Sequence, residues 1–446
     1  MGTGKVAKAA EQSFHHVLWS VTPFKEFYIL AYLLITILVH VPLWVIQYFI
    51  PFSVVGYIWN TTSGWHPRYG VLVGRPFKDW SLTQYIIVRW FRHITFLVVH
   101  CRLKLEIVDN TVSPKGLKKS TFVLIPPVSE DRISGFVAKA ARKVNVRPAP
   151  VGAYWYKRTD PLLAPSAEDD LVALNFHGGG YVLGDATEND FNVDIVNGIL
   201  KVRPVFMISI SGMMEEQETR ISRVFSVDYR LSTGTPFPGA LLDALSAYVY
   251  LTETENIDPS QIVVMGDSAG GNLSLALLRL IRSLSLPMPG HAILLSPWAD
   301  IANSHFNPGS PFRNARTARR REGDVLNPNL GPYTVYKFTE GHHPSILQSA
   351  YLSPALLPLP QGEGEEKEES PEVSFKGFPR TFVSIGEGEV LHDQIHTLVE
   401  RMREGGVDVR ERVEEGGVHD FVGFKWFEPQ RGLALKAIGK WLKEEV

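Results

Sequence analysis

The chain of 446 residues contains a single cysteine, Cys101. One thiol excludes an intramolecular disulfide framework and any Cys-x-x-Cys metal or redox site. Nor is there an excess of either charge: 45 Lys and Arg face 47 Asp and Glu, a net charge of −2 at pH 7. A balanced surface offers no global basic field to hold nucleic acid. No repeat of 20–50 residues is visible, which argues against a solenoid. A composition that is 45% hydrophobic and 21% charged fits neither a disordered nor a collagen-like chain. What remains is a chain able to bury a large core, long enough for two domains or for one α/β domain with insertions.

One long apolar run is present. After a tail of 26 residues, Phe27 to Ile50 reads FYILAYLLITILVHVPLWVIQYFI, without Asp, Glu, Lys or Arg. A helix of that length spans roughly 36 Å, enough to cross a bilayer with some tilt. Trp44, Tyr48, Tyr57 and Trp59 gather toward its far end, where amphipathic rings prefer the headgroup region. The run is too long and begins too far from the N-terminus for a cleaved signal peptide. Lys5, Lys8 and Lys25 precede it and Arg68, Arg75 and Lys78 follow it, so charge sets no orientation. A second stretch, Tyr85 to His100, is apolar but interrupted by Arg89, Arg92 and His93. It reads as an amphipathic helix lying on a membrane, or as one packed on the body with both arginines outward.

Beyond residue 150 short apolar runs recur: Leu171–Phe176, Phe225–Tyr229, Gln261–Met265, His291–Leu295 and Thr381–Ile385. Helical patterns follow at Ala240–Leu251, Gly271–Leu284, Gln394–Glu404 and Arg431–Lys443. Apolar strands alternating with helices predict an α/β fold whose mostly parallel sheet is covered on both faces. Residues 301–360 break this rhythm and read as an inserted cap; 361–372 is an acidic, low-complexity loop. Residues 206–224 are a further oddity. Val-Phe at 205–206 recurs at 224–225, and excising Phe206–Val224 leaves a clean helix–turn–strand, as expected of an unusual insertion or a translated intron. The chain therefore divides into a tail (1–26), a membrane helix (27–50), a juxtamembrane and cap segment (51–150), a first core part (151–300), a cap with its acidic loop (301–372) and a second core part (373–446).

Three motifs carry chemistry. Gly266-Asp267-Ser268-Ala269-Gly270-Gly271 follows the strand QIVVM and opens a helix. In that context G-x-S-x-G holds Ser268 on a strained turn with its hydroxyl exposed, and the next backbone N–H faces a developing oxyanion. Upstream, His177-Gly178-Gly179-Gly180-Tyr181 follows the strand LVALNF, and its glycines allow successive N–H groups to form an anion nest. Downstream, His419 sits in a loop between the strand-like VDVRERV and the last helix, the chain position expected of a general base. Glu387, Glu389 and Asp393 all follow the strand RTFVSIG as candidate acids. Asn272-Leu273-Ser274 matches a glycosylation sequon but falls on an expected buried helix.

These motifs, HGGGYVLGD, DYRL, PFP, GDSAGGNLS, LLSPW and VHDF, resemble the hormone-sensitive-lipase branch of the α/β-hydrolases, which includes arylacetamide deacetylases and fungal steryl-acetate deacetylases. The likeness covers roughly residues 150–446. It implies the α/β-hydrolase fold with a helical cap, Ser268 as nucleophile, His419 as base, and Gly179, Gly180 and Ala269 as oxyanion donors. The family acid opens a D-P-L-x-D pattern, read here as Glu389-Val390-Leu391-His392-Asp393, so the acid matches Glu389 with Asp393 as fallback. Leu231-Ser232-Thr233-Gly234 replaces the family's L-A-P-E. The resemblance implies a serine carboxylesterase or lipase without metal or organic cofactor. Its substrates would be apolar esters: acetylated sterols, xenobiotic esters or acylglycerols. It also implies a single-pass anchor in the endoplasmic reticulum membrane with the catalytic domain lumenal. A catalytically weak small-molecule binding protein on the same fold is the second reading. The apolar run Phe27 to Ile50 implies membrane lipid as a neighbour, and nothing in the sequence sets an oligomeric state.

Overall fold

The computed structural model describes residues 25–49, 77–100, 109–158, 170–201, 219–307, 310, 323–326, 330–357 and 374–444. Among these, eight strands form one sheet: β1 (Ser120–Ile125), β2 (Val151–Lys157), β3 (Leu171–Phe176), β4 (Ile221–Val227), β5 (Ile262–Asp267), β6 (His291–Leu295), β7 (Arg380–Gly386) and β8 (Val409–Glu414). Their order is β1-β2-β4-β3-β5-β6-β7-β8. The first two strands join antiparallel and the rest run parallel from β4 to β8. β3 and β5 are buried at every residue and are apolar but for Asn175 and the Gly266-Asp267 end, as expected of strands covered on both faces. Each Val or Leu so enclosed contributes about 1.5–3 kcal/mol.

Period-two alternation divides the core. Val172, Leu174, Phe176 and Val264 meet α4 (Gly135–Lys143), α6 (Gly239–Val249), α7 (Ser268–Ser283) and α9 (His392–Glu404). Leu171, Ala173, Val263 and Met265 point to the opposite face, under α3 (Leu82–His100), α5 (Val193–Leu200) and α10 (Gln430–Lys443). The segment expected as a cap includes α8 (Leu330–Phe338), whose Phe338 stacks on Tyr181 with ring centroids 3.9 Å apart.

The N-terminal apolar run is helical from Lys25 to Phe49: α1 (Lys25–Ile35), a π turn (Thr36–His40) and α2 (Val41–Phe49). The π turn lies where Pro42 lacks the N–H that would bond the carbonyl of Leu38, so the ladder is re-spaced there. The window Ile29–Ile46 is long and apolar enough to cross a membrane, and 11% of it is buried. Trp44 was expected in the headgroup region; instead it is buried against His93 of α3, ring centroids 5.1 Å apart.

Three other expectations are corrected. The sheet begins at Ser120, with β1 pairing β2, earlier in the chain than the expected strands beyond residue 150. β4 starts at Ile221, because Ile221 pairs with Leu171 and Arg223 with Lys157. The end of the 206–224 segment is thus built into the sheet, while 206–218, like the acidic loop and residues 1–24, lies outside the described residues. Arg92 of α3 turns inward, donating to the carbonyls of Asp324 (2.9 Å) and Leu326 (3.3 Å).

Candidate active site

β5 runs into α7 without a loop, and the turn falls on Ser268 at φ +50°. A serine with positive φ is strained, and this strain aims the side chain out of the strand–helix corner. The corner needs Gly270: a Cβ there would lie 2.0 Å from the carbonyl oxygen of Phe176 in β3. Trp298 N–H donates to the Ser268 carbonyl at 2.9 Å and fixes the turn from the LLSPW loop.

The loops after β8 and β7 deliver the other two groups. Ser268 Oγ donates to His419 Nε2 at 2.8 Å. His419 Nδ1–H donates to Glu389 Oε2 at 3.2 Å. All three side chains are buried. The two loops are also joined at the backbone, where Gly388 N–H donates to the Gly417 carbonyl at 2.7 Å. Of the three carboxylates that chain position left open, Glu389 meets the imidazole. Glu387 accepts from Gly416 N–H at 3.3 Å, and Asp393 faces His392 at 3.4 Å.

Burial pushes Glu389 up to about 7, against the opposing hydrogen bond and charge of His419. Burial alone would lower His419, but Asp420 and then Glu389 outweigh it and hold the imidazole well above its ordinary value. Asp420 Oδ2 lies 3.1 Å from His419 Nε2, on the side that also meets Ser268. Burial and then Asp420 raise the carboxyl of Asp267, directly before the serine, against the opposing charge of His419.

The glycine loop after β3 closes the other side. Gly179 has φ +108°, and a Cβ there would lie 2.2 Å from the Leu183 carbonyl oxygen. Val182 and Leu183 N–H groups turn back to the Gly179 carbonyl at 3.1 and 3.0 Å. No described residue accepts from the N–H of Gly179 or Gly180. Ala269 lies in the first turn of α7, where N–H groups have no intrahelical acceptor. Burial holds His177 down to about 4; it is neutral, and its Nδ1–H donates to the Gly178 carbonyl at 2.7 Å. Tyr229 stacks on that ring and donates to the His177 carbonyl at 2.7 Å. Among the described residues no cluster of three or more His, Cys, Asp or Glu side chains is arranged to hold a metal ion.

Residues 218–423 match the family described as alpha/beta hydrolase fold, and residues 125–309 match the family described as Steryl acetyl hydrolase. The esterase LipI of Mycobacterium tuberculosis is 32% identical over 301 residues, covering 65% of this chain and 78% of that one. An acetyl-hydrolase of Streptomyces hygroscopicus is 26% identical over 274 residues, 61% and 75% of the two chains. The crystal structure of an esterase from the bacterial hormone-sensitive-lipase family superposes with a TM-score of 0.52 at 23% identity. It covers 81% of this chain and 98% of that one, a likeness of fold. The chain belongs to the hormone-sensitive-lipase family of α/β-hydrolases. It is a carboxylester hydrolase.

Against that family pattern, three residues at the site went unassigned from sequence. Asn272, noted only as a sequon, is fully buried. It accepts from Tyr181 Oη at 2.8 Å and donates to the carbonyls of Trp298 (2.8 Å) and Leu352 (2.9 Å), tying the glycine loop to the LLSPW loop and to Leu352 beyond the cap helix α8. Its place in the GDSAGGN motif was the available signal. Asp420 was quoted in VHDF without a role. Asp324 carried no signal at all: the hydrogen-bond partners that bring it to the site, Val390 and His419, stand 66 and 95 residues away. The family departure at Leu231–Gly234 keeps its turn, with Gly234 and Thr235 N–H on the Leu231 carbonyl and Ser232 N–H on the Tyr181 carbonyl.

Proposed function

We propose that this carboxylester hydrolase is a membrane-anchored serine esterase, with Ser268 as nucleophile, His419 as general base and acid, and Glu389 as the acid that orients the imidazole. The observation carrying this reading is the continuous relay from Ser268 Oγ through His419 to Glu389, at 2.8 and 3.2 Å. His419 Nε2 takes the hydroxyl proton as Ser268 Oγ attacks the ester carbonyl. The N–H groups of Gly179, Gly180 and Ala269 stabilise the oxyanion. His419 then protonates the departing alcohol, and a water activated by the same nitrogen releases the acid and restores the serine.

Esters of apolar alcohols, steryl acetates foremost, are the substrates we assign. The match of residues 125–309 to the steryl acetyl hydrolase family and the likeness to an acetyl-hydrolase both support them. The exposed apolar helix supports an anchor: Leu38 is 70% exposed and Ile46 57%, a surface that water solvates poorly and lipid covers well. On the family resemblance we place the anchor in the endoplasmic reticulum membrane with the catalytic body lumenal. Residues 301–357 serve as cap and 120–300 with 374–444 as core.

Hydrolysis of a short nitrophenyl ester by the detergent-solubilised protein tests the mechanism. Ser268→Ala is expected to remove several orders of magnitude of rate. Equal rates from wild type and variant would refute the serine mechanism, and a folded but inert wild type would favour the binding-protein reading. Deacetylation of a steryl acetate, compared with a long-chain ester of the same sterol, tests the substrate class.

A further inference from the structure

We propose that Asp324, a cap residue with no place in the relay, is a positioning residue that holds the acid loop and the base loop in catalytic register. The inference rests on the serine mechanism proposed above. Its carboxylate is fully buried and accepts from three backbone N–H groups: its neighbour Val325 (2.7 Å) and His419 (2.8 Å) on Oδ1, and Val390 (2.8 Å) on Oδ2. His419 carries the imidazole and Val390 immediately follows Glu389. One side chain therefore spans the two loops whose relative placement sets the 3.2 Å bond between Nδ1 and Oε2.

The chemistry suits a carboxylate and little else. Backbone N–H groups converging on a buried point need an acceptor with lone pairs on both of its oxygens, and an amide turns its NH2 toward one of them. A neutral isostere leaves a donor unpaired in a site without room for rearrangement, and the loop carrying that donor shifts. Shifts of about 1 Å in catalytic geometry cost on the order of 100-fold in rate.

The brace is itself held from outside the cap. Arg92 of α3 donates one guanidinium nitrogen to the Asp324 carbonyl (2.9 Å) and the Leu326 carbonyl (3.3 Å). Helix α3 also packs along the apolar N-terminal helix, where Tyr48 Oη donates to the Trp80 carbonyl at 2.9 Å. The N-terminal helix, α3 and the catalytic loops thus share one chain of contacts through Asp324.

The test is steady-state hydrolysis of a nitrophenyl ester by full-length wild type, Asp324→Asn, Arg92→Gln and Ser268→Ala in detergent, with melting temperatures recorded in parallel. Asp324→Asn is expected to lower kcat by about 10- to 100-fold while KM stays within about twofold, and to slow labelling of Ser268 by a fluorophosphonate similarly. Arg92→Gln, which leaves the carboxylate in place, is expected to lower kcat several-fold with KM again unchanged. A folded Asp324→Asn with wild-type kcat and labelling rate overturns the proposal, as does a loss that appears in KM alone. If Asp324→Asn does not fold, Arg92→Gln decides, and a wild-type kcat there overturns it. Ser268→Ala separates the two levels. Activity surviving in that variant refutes the serine mechanism, whereas an inert Ser268→Ala beside a fully active Asp324→Asn refutes the brace alone.

Discussion

His419 is the residue on which most of the site's charge converges. Glu389 meets Nδ1, Asp420 approaches Nε2, and the buried carboxyls of Asp324 and Asp267 stand behind them. A carboxylate 3.1 Å from Nε2 favours the imidazolium, yet only the neutral ring accepts the Ser268 proton. On the proposed mechanism Asp420 therefore lifts the pH at which the base becomes available, and in return stabilises the cation that forms as the serine attacks. The sign follows directly. Asp420 raises His419 more than Glu389 does, so Asp420→Asn lowers the imidazole pKa and moves the acidic limb of the kcat/KM profile to lower pH. Activity below the wild-type limb is gained, while kcat on the plateau falls because the cation has lost a partner. A pH–rate profile of both proteins checks this, and an unmoved or alkaline-shifted limb would sink it. The αL conformation of Asp420, φ +54°, is one that Asp tolerates and a β-branched residue does not, which makes Asn the appropriate replacement.

Among the elements, α3 has the most to explain, because it joins the apolar N-terminal helix to the catalytic body. Trp80, just before it, is 1% exposed; its indole N–H donates to the Gly416 carbonyl at 2.8 Å and its ring packs on Phe77 and edge-on to Phe427. Gly416 opens the turn that leads to His419. Trp80→Ala is expected to destabilise by about 3–5 kcal/mol through the cavity it leaves. Trp80→Phe keeps most of the packing and is expected to lose about 1 kcal/mol with the hydrogen bond. Thermal or urea unfolding in detergent ranks the three proteins, and a variant melting with the wild type would show that this contact does not hold the element. Local periodicity reads such elements unevenly. Leu171–Phe176 and His291–Leu295 are strands to the residue, since both lie in the parallel part of the sheet and are apolar but for Asn175 and His291. β1 and β2 escape notice because their hydrophobicity is matched by pairing across the antiparallel edge, Ser120 to Tyr156 and Ile125 to Val151, and nothing in the local pattern announces a partner. Motif and chain order point to Ser268 and His419, and the family pattern to Glu389; the three side chains meet at 2.8 and 3.2 Å. Asp324 was hidden because it acts through backbone groups, which leave no trace in residue type.

At the scale of the whole molecule, apolar surface is handled in two different ways. The sheet and its two layers of helices bury their apolar residues internally, but the N-terminal helix does not. One side, with Trp44 and Tyr48, leans on α3, while Leu30, Leu34, Ile35, Leu38 and Ile46 remain exposed. Beside it α3 exposes Phe91 and Ile94, and Phe91 packs on Phe424 and Trp426 of the loop that follows His419. The exposed apolar surface therefore continues from the N-terminal helix onto the catalytic body, as the proposed membrane attachment requires. In water this surface would drive association; in lipid it costs nothing. The full-length protein is accordingly expected to stay with membranes through an alkaline carbonate wash and to leave them in detergent. Leu34 and Leu38 lie one turn apart on the exposed side, and each charge introduced there costs about 2.5–3.5 kcal/mol of insertion. The double variant Leu34→Arg, Leu38→Arg is therefore expected to shift into the soluble fraction while still hydrolysing a water-soluble nitrophenyl ester, because neither side chain reaches the relay. A wild-type protein released by carbonate alone would show that the helix does not anchor, and its exposed face would then have to be covered by protein instead.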